Sequence, residues 1–134
     1  MLGKELELEE FAYKIFAEEL LRGTLFFSLS MILKKIDPHV RKCANLGDWL
    51  IISQGREVGS RGYAEKVKNL HEVMHKTYDR RTVLFAEKIG GEEEVPNNVQ
   101  AIILTDGTDY PDVLAHVSVR ARNLKVLLCV CFND

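Results

Sequence analysis

One histidine, His116, stands where the sequence predicts that a loop becomes a helix. Pro111 and Asp112 are typical of a turn and a helix start, and the apolar residues that follow recur at the spacing of a buried helix face. Unpaired backbone N–H groups and the positive end of the helix dipole favour an anion at such a place. Arg120 projects from the same side of the helix four residues later. A neutral imidazole, with an unperturbed pKa of about 6.5, is a competent nucleophile there, and a phosphorylated imidazole would be its natural product.

The same histidine also fits a structural role. A lone histidine beside an apolar helix is more often a hydrogen-bonded structural residue than a catalyst. The residue pattern around His116 alone therefore leaves both interpretations open.

A longer pattern favours the chemical interpretation. It consists of five blocks in order along the chain: residues 37–42 (DPHVRK), 45–53 (NLGDWLIIS), 76–80 (KTYDR), 91–96 (GEEEVP) and 112–123 (DVLAHVSVRARN). Together these blocks resemble the alpha-glucan, water dikinases, which phosphorylate starch, and the last block resembles their phosphohistidine segment. Residues 20–22 and 25–30 are similar to the helical lead-in of that family.

The resemblance implies an α/β fold. Residues 48–134 would form a phosphohistidine swivelling (β/β/α) domain like that of pyruvate, phosphate dikinase, and residues 1–47 an N-terminal helical arm that leads into it. The chain would be a fragment of a larger enzyme. The resemblance implies that ATP and Mg²⁺ bind to an ATP-grasp domain of that enzyme. The sequence of this chain contains no recognisable glycine-rich nucleotide loop of its own.

The resemblance also implies a reaction. His116 would accept the β-phosphate of ATP and pass it to a glucosyl hydroxyl of a starch-like glucan, while AMP and orthophosphate leave. The residues expected to support the phosphoryl group are Arg120, Arg122, Ser118, Thr105 and Asp112. Arg122 lies six residues from His116 and faces elsewhere on a regular helix.

Family analogy implies a plastid protein, or a cytoplasmic one where starch is stored in the cytosol. The alternatives are a related dikinase with a phosphoglucan or pyruvate acceptor, and a non-enzymatic interaction domain.

Three departures from the family pattern are visible. Ala115 stands where the family usually has a serine, so a hydroxyl that could orient the imidazole is missing, and Ser118 is a candidate substitute. The loop over residues 105–110 is about two residues longer than its family equivalent. Residues 55–75 match the family poorly.

A second motif, His71-Glu-Val-Met-His75, matches the His-Glu-x-x-His pattern of zinc peptidases. A third ligand could come from the acidic run Glu92 to Glu94. Lys76 would place a positive charge close to the metal, and the interpretation we favour is an exposed helix face without a metal. We expect the acidic run to be structural or to form an interdomain contact.

Composition limits the remaining function classes. The chain of 134 residues has 46% hydrophobic and 28% charged residues and a net charge of −2, which argues against a general nucleic-acid binder. Its longest apolar run, about residues 24–33, is shorter than the roughly twenty residues of a membrane span. Three cysteines without a Cys-x-x-Cys motif predict a reducing compartment, with Cys129 and Cys131 as structural thiols on one face of a buried strand.

The pattern of apolar residues predicts alternating helices and strands. Helices are expected from Glu5 to about Arg22, from Thr24 to Lys35, from Asp37 to near Gly47, and from Leu114 to Arg122. Strands are expected at 49–53, 82–86, 99–104 and 126–130, with an amphipathic segment at 64–78. A strand, crossover helix and strand from Val99 to Val130 would place the His116 loop at the carboxyl end of the first of these strands.

Overall fold

The structure, a computed structural model, describes residues 23–56 and 62–132, which form two α-helices, one 3-10 helix and five strands. In chain order these elements are α1 (Leu25–Ala44), β1 (Trp49–Ser53), β2 (Tyr63–Asn69), a 3-10 helix (Leu70–Glu72), β3 (Thr77–Lys88), β4 (Asn97–Leu104), α2 (His116–Leu124) and β5 (Leu127–Cys131). The helix predicted from Glu5 to Arg22 lies outside the described residues.

The five strands form one mixed sheet in the order β1-β5-β4-β3-β2. Strands β2, β3, β4 and β5 run parallel to one another, and β1 is antiparallel to β5. In the middle of the sheet Phe85, Ile103 and Cys129 lie in register on β3, β4 and β5. The predicted α/β fold, with a helix ahead of the sheet, is confirmed.

The predicted strand, crossover helix and strand are β4, α2 and β5, and the two strands are parallel neighbours. α2 turns Val117 and Ala121 into the core, where both are fully buried together with Leu104 and Val130 of the flanking strands. Fully burying an aliphatic side chain of this size stabilises the fold by about 1.5–3 kcal/mol. The loop that leads to His116 leaves the carboxyl end of β4, as predicted.

The prediction of two helices separated at Asp37 and Pro38 is wrong, because α1 is one helix that continues through Pro38. Proline removes a backbone donor and disfavours helical geometry in the residue before it, which is why the sequence suggested a new start. Contacts before and after Pro38 attach α1 to the rest of the structure. After it, Arg41 Nη2 donates to the carbonyl oxygens of Gly47 at 3.0 Å and Trp49 at 2.7 Å.

The amphipathic segment predicted over residues 64–78 contains no α-helix. It is β2, the 3-10 helix and the start of β3. Leu70 and Tyr78 are buried, while the residues around them are mostly exposed. This alternation of buried and exposed positions in a strand and a short helix gives an apolar pattern that resembles that of one longer helix.

Candidate functional site

His116 is the first residue of α2, and Ala115 is the N-cap. The loop before it, residues 105–115, turns at Asp112, whose Oδ1 accepts the backbone N–H of Leu114 at 2.8 Å. The imidazole lies at the end of α2 that faces the carboxyl edge of the sheet, and its side chain is 20% exposed. The ring is therefore held by the fold and still reached by water.

A carboxylate from another segment contacts the imidazole directly. Oε1 of Glu94 lies 2.7 Å from Nε2 of His116, and Oε2 of the same carboxylate accepts a hydrogen bond from Nε of Arg120 at 2.8 Å. An ionised carboxylate only accepts hydrogen bonds, so Nε2 carries the proton in this contact. Glu94 thus joins two of the residues that the sequence singled out.

The protonation of Glu94 reflects these two partners. Burial raises the pKa of its carboxyl, but the hydrogen bonds from His116 and Arg120 outweigh burial and hold the pKa below its ordinary value. Glu94 is therefore ionised at neutral pH. A negative charge at this position also suits the positive end of α2.

The acidic run 92–94 divides into different roles. Glu93 is 5% exposed, and its carboxylate accepts the backbone N–H groups of Gly90 at 2.6 Å and Gly91 at 2.7 Å. The carbonyl oxygen of Gly91 in turn accepts the N–H of Val117 in the first turn of α2, at 2.9 Å. Glu93 therefore holds the turn together and the turn is attached to α2, while Glu94 is 39% exposed and reaches the imidazole.

The Val117 contact also changes the expectation of unpaired N–H groups at the start of α2. One of these groups is already used by the Gly91 carbonyl. The anion that lies at this helix end in the structure is the Glu94 side chain.

The other predicted supporting residues have local partners. Ser118 is fully buried, and its Oγ donates to the backbone carbonyl of Asp112 at 2.7 Å. Arg122 is exposed and donates to the carbonyl of Val113. Thr105 follows β4 and donates from Oγ1 to the carbonyl of Ala86 at 3.3 Å. Of the predicted set, the structure brings only Arg120 into one hydrogen-bonded group with His116 through Glu94.

One side of α1 is attached to the loop that carries the histidine. Residues 30, 34 and 37 of α1 follow helical spacing and make three side-chain contacts. These are Ser30 Oγ to Asp112 Oδ1 at 2.7 Å, Lys34 Nζ to Asp109 Oδ1 at 2.8 Å, and Tyr110 OH to Asp37 Oδ2 at 3.1 Å. Burial, and then the charge of Asp37, raises the pKa of Tyr110 to about 12, so its hydroxyl stays a donor.

The His-Glu-x-x-His motif does not lie on an α-helix. His71 is in the 3-10 helix and His75 is in the turn before β3. Both are exposed, as expected, but the expected helix face is wrong because no α-helix carries them. Zinc peptidases need both imidazoles on one face of an α-helix, one turn apart. Within residues 23–56 and 62–132, no three His, Cys, Asp or Glu side chains are grouped so that they could hold a metal ion.

The remaining sequence predictions concern single side chains. Cys129 is buried, and burial raises the pKa of its thiol to about 11, which keeps it protonated. Cys131 is half-buried on the same strand. Trp49 is 54% exposed at the start of β1. None of the helices in the described ranges has the length and apolar character needed to cross a membrane.

Sequence reasoning did not identify Glu94 as the partner of His116. The two residues are 22 positions apart, and nothing in a run of three glutamates marks which one turns toward the histidine. The only available signal was that this run belongs to one of the five blocks shared with the dikinases.

Comparison with known proteins gives consistent matches. Residues 48–134 match the family described as alpha-glucan water dikinase, phosphohistidine-like domain. The chain is 43% identical over 133 residues to alpha-glucan water dikinase 1, chloroplastic, of Arabidopsis thaliana, which covers 99% of the chain and 9% of that protein. It is 45% identical over 132 residues to alpha-glucan water dikinase, chloroplastic, of Solanum tuberosum, with 98% and 9% covered. The chain thus spans about a tenth of the length of these relatives. No solved structure matches it.

Proposed function

Because the chain belongs to the alpha-glucan water dikinase family, we propose that it is a phosphohistidine carrier in which His116 accepts the β-phosphate of ATP. The carrier then gives this phosphoryl group to a glucosyl hydroxyl of a starch-like glucan. AMP and orthophosphate are the other products.

The observation that carries this proposal is the anion held between His116 and Arg120. An imidazole nitrogen and a guanidinium nitrogen bind the two oxygens of one carboxylate, at 2.7 and 2.8 Å. Guanidinium groups bind carboxylates and phosphates with the same geometry. A phosphoryl group on His116 would therefore find a positive partner within reach.

Phosphoryl transfer depends on alignment and charge neutralisation more than on covalent help from the protein. Arg120 and the positive end of α2 supply such neutralisation at His116. In the transfer, the lone pair of the imidazole nitrogen forms the bond to phosphorus. The bond between the β-phosphorus and the AMP oxygen breaks, so AMP leaves. The bond from the γ-phosphorus to its bridging oxygen breaks when water attacks that phosphorus, which releases orthophosphate.

ATP, Mg²⁺ and glucan belong to other parts of the protein in this proposal. The described residues offer no cluster of metal ligands, and the sequence has no glycine-rich nucleotide loop. An ATP-grasp domain outside this chain would bind ATP with Mg²⁺, and a glucan site elsewhere would receive the phosphoryl group. The names of the relatives support a plastid location.

We further propose that residues 48–134 move as a swivelling domain like that of pyruvate, phosphate dikinase, with residues 1–47 as the helical lead-in. A carrier that travels between two water-excluded sites explains why the phosphoryl group is held on nitrogen between the two steps. The partly exposed position of His116 at the edge of the sheet supports this proposal.

The test is transfer of label from ATP in the full-length protein that contains this chain. With ATP labelled at the β-phosphate, we expect acid-labile, base-stable label on the peptide that contains His116, and then label on added α-glucan. With ATP labelled at the γ-phosphate, the label should appear as orthophosphate. Label that persists on the protein in the His116→Ala variant would refute the proposal.

Arg120 provides a second test. In the Arg120→Ala variant we expect slower labelling of His116, by roughly ten- to a hundredfold, because one charge-assisted contact to the phosphoryl group is lost. Arg122→Ala is the matched control, because it removes another arginine side chain two residues away on the same helix. Equal labelling rates in the Arg120 and Arg122 variants would exclude Arg120 from the site.

A further inference from the structure

The contact between Glu94 and His116 raises a question that the proposed function does not answer. Oε1 of Glu94 lies 2.7 Å from Nε2, the outer nitrogen of the ring, and Oε2 occupies Nε of Arg120. A phosphoryl group bound to Nε2 would need this same place and this same arginine. Two negative groups cannot share it, because like charges at contact distance repel strongly.

The surroundings of Glu94 allow it to leave without disturbing the fold. Its neighbour Glu93 is buried and bonded to two backbone N–H groups, so Glu93 anchors the turn. The Gly91 carbonyl ties the turn to Val117 of α2. The Glu94 side chain is 39% exposed, and rotation into water needs only changes in its own torsion angles.

We propose that Glu94 acts as a built-in stand-in for the phosphoryl group. In the unphosphorylated chain its carboxylate binds both Nε2 of His116 and Arg120, and it gives up both when Nε2 is phosphorylated. In this exchange Nε2 is the nitrogen that carries the phosphoryl group. This inference rests on the proposed function of His116. The lowered pKa of Glu94 agrees with it, because the carboxylate stays charged at neutral pH.

Two consequences follow for the unphosphorylated state. Arg120 is held in the position from which it can bind phosphoryl oxygens, so it does not have to be ordered during transfer. The nucleophilic nitrogen is also protonated and covered, so it reacts slowly until Glu94 moves. Glu94 is thus a positioning residue that makes His116 less reactive on its own.

Phosphoramidate allows a test on this chain without the ATP-binding part of the enzyme. The Nε2 proton first moves through water to Nδ1. The Nε2 lone pair then forms the bond to phosphorus, the nitrogen–phosphorus bond of the reagent breaks, and ammonia leaves. The ring keeps its Nδ1 proton, so the charges balance when the reagent is the monoanion ⁺H₃N–PO₃²⁻. The exposed His71 reacts by the same chemistry and serves as an internal reference.

The measured quantity is the rate of phosphorylation of His116 divided by that of His71, from mass spectrometry of the two peptides. In Glu94→Ala we expect this ratio to rise roughly tenfold over that of the unchanged chain, because a charged hydrogen bond that competes for Nε2 is gone. Glu94→Gln should give a smaller rise, because the amide still bonds but carries no charge. Glu87→Ala removes an acidic side chain elsewhere and should leave the ratio unchanged.

The outcomes separate this inference from the proposed function. If His116 is phosphorylated but the ratio in Glu94→Ala is equal or lower, the stand-in role of Glu94 is wrong and the proposed function remains. Phosphorylation on Nδ1, which ³¹P and ¹⁵N NMR distinguish from Nε2, would also overturn the inference. If His116 is not phosphorylated in any variant while His71 is, the proposed function itself fails.

Discussion

The two helices of the described chain are attached to the rest of the molecule in opposite ways. α2 turns its small and apolar residues, such as Val117 and Ala121, into the core. The only buried residue of α1 is Ser30, and its large apolar residues, among them Leu29 and Ile32, are exposed. α1 instead contacts the rest of the structure through polar side chains.

We infer from this difference that α2 mainly stabilises the fold, whereas α1 mainly positions the loop that leads to His116. Burial of α2 against the sheet is non-directional and contributes to the free energy of folding in proportion to apolar area. The contacts of α1 are directional hydrogen bonds and ion pairs, and three of them meet the loop that leads to His116. We therefore expect changes under α2 to unfold the chain, and changes on the polar side of α1 to alter the loop.

The largest effect is expected from a large-to-small substitution in the core beneath α2. Leu104→Ala removes a fully buried side chain, and we expect a loss of about 2–5 kcal/mol in the free energy of unfolding, measured with urea. Ile32→Ala on α1 is the matched control, because this side chain is 53% exposed and should change stability by less than about 0.5 kcal/mol. Similar losses in both variants would remove the distinction between the helices.

A smaller effect is expected at the contact between α1 and the loop. Asp112→Ala removes the acceptor of Ser30 Oγ and of the Leu114 N–H, and should cost about 1–3 kcal/mol in urea unfolding. Asp109→Ala changes the same loop but removes only the pair with Lys34, in which the aspartate is 87% exposed. That control should cost less than about 1 kcal/mol. A control as costly as Asp112→Ala would contradict the ranking.

The start of α2 can be strengthened. Ala115 is the N-cap and offers no side-chain hydrogen bond. Ala115→Ser restores the serine expected from the dikinase pattern, and its hydroxyl can accept a backbone N–H of the first turn. We expect a gain of about 0.5–1 kcal/mol in unfolding free energy. Ala115→Val, which adds volume without an acceptor, should give no gain. A gain from valine would show that packing, and not capping, limits this end.

The smallest expected effect concerns pH. The pKa of Glu94 lies below its ordinary value of 4.5, so the stability that its ion pairs contribute is present above that pH and is lost as the pH falls through the lowered value. The free energies of unfolding of the original chain and Glu94→Gln should therefore differ at pH 7, by less than about 1 kcal/mol, and converge once the pH has fallen below the lowered pKa of Glu94. A difference that grows toward low pH would mean that the pKa of Glu94 is not lowered in the folded chain.

The elements that the sequence predicts well are those whose signal is local. The strand at residues 49–53 and the β4–α2–β5 unit follow from apolar residues and turn residues close by in the sequence, and both appear in the structure. The break expected at Pro38 is wrong because contacts of Ser30, Asp37 and Arg41, two of them with residues more than 70 positions away, hold both halves of α1 on one surface. Local patterns contain no information on such distant partners.

The same limit applies to the site. His116 and Arg120 are four residues apart on one helix, so their proximity was predictable from helical geometry. The contact of both with Glu94 depends on how the turn at Gly91 meets α2. The contact between this turn and α2 depends on packing at the edge of the sheet. No short sequence pattern predicts such packing.

The strand order also determines how this molecule resists joining others. Among the residues that the structure describes, the two outer strands, β1 and β2, each have a neighbouring strand on one side only. Exposed Lys66 and Lys68 place positive charge along β2, and the Arg41 guanidinium binds the Trp49 carbonyl at the outer side of β1. Charges at the edge of a sheet oppose the addition of a strand from a second copy. The cations at β1 and β2 therefore disfavour amyloid-like growth at both edges of the sheet.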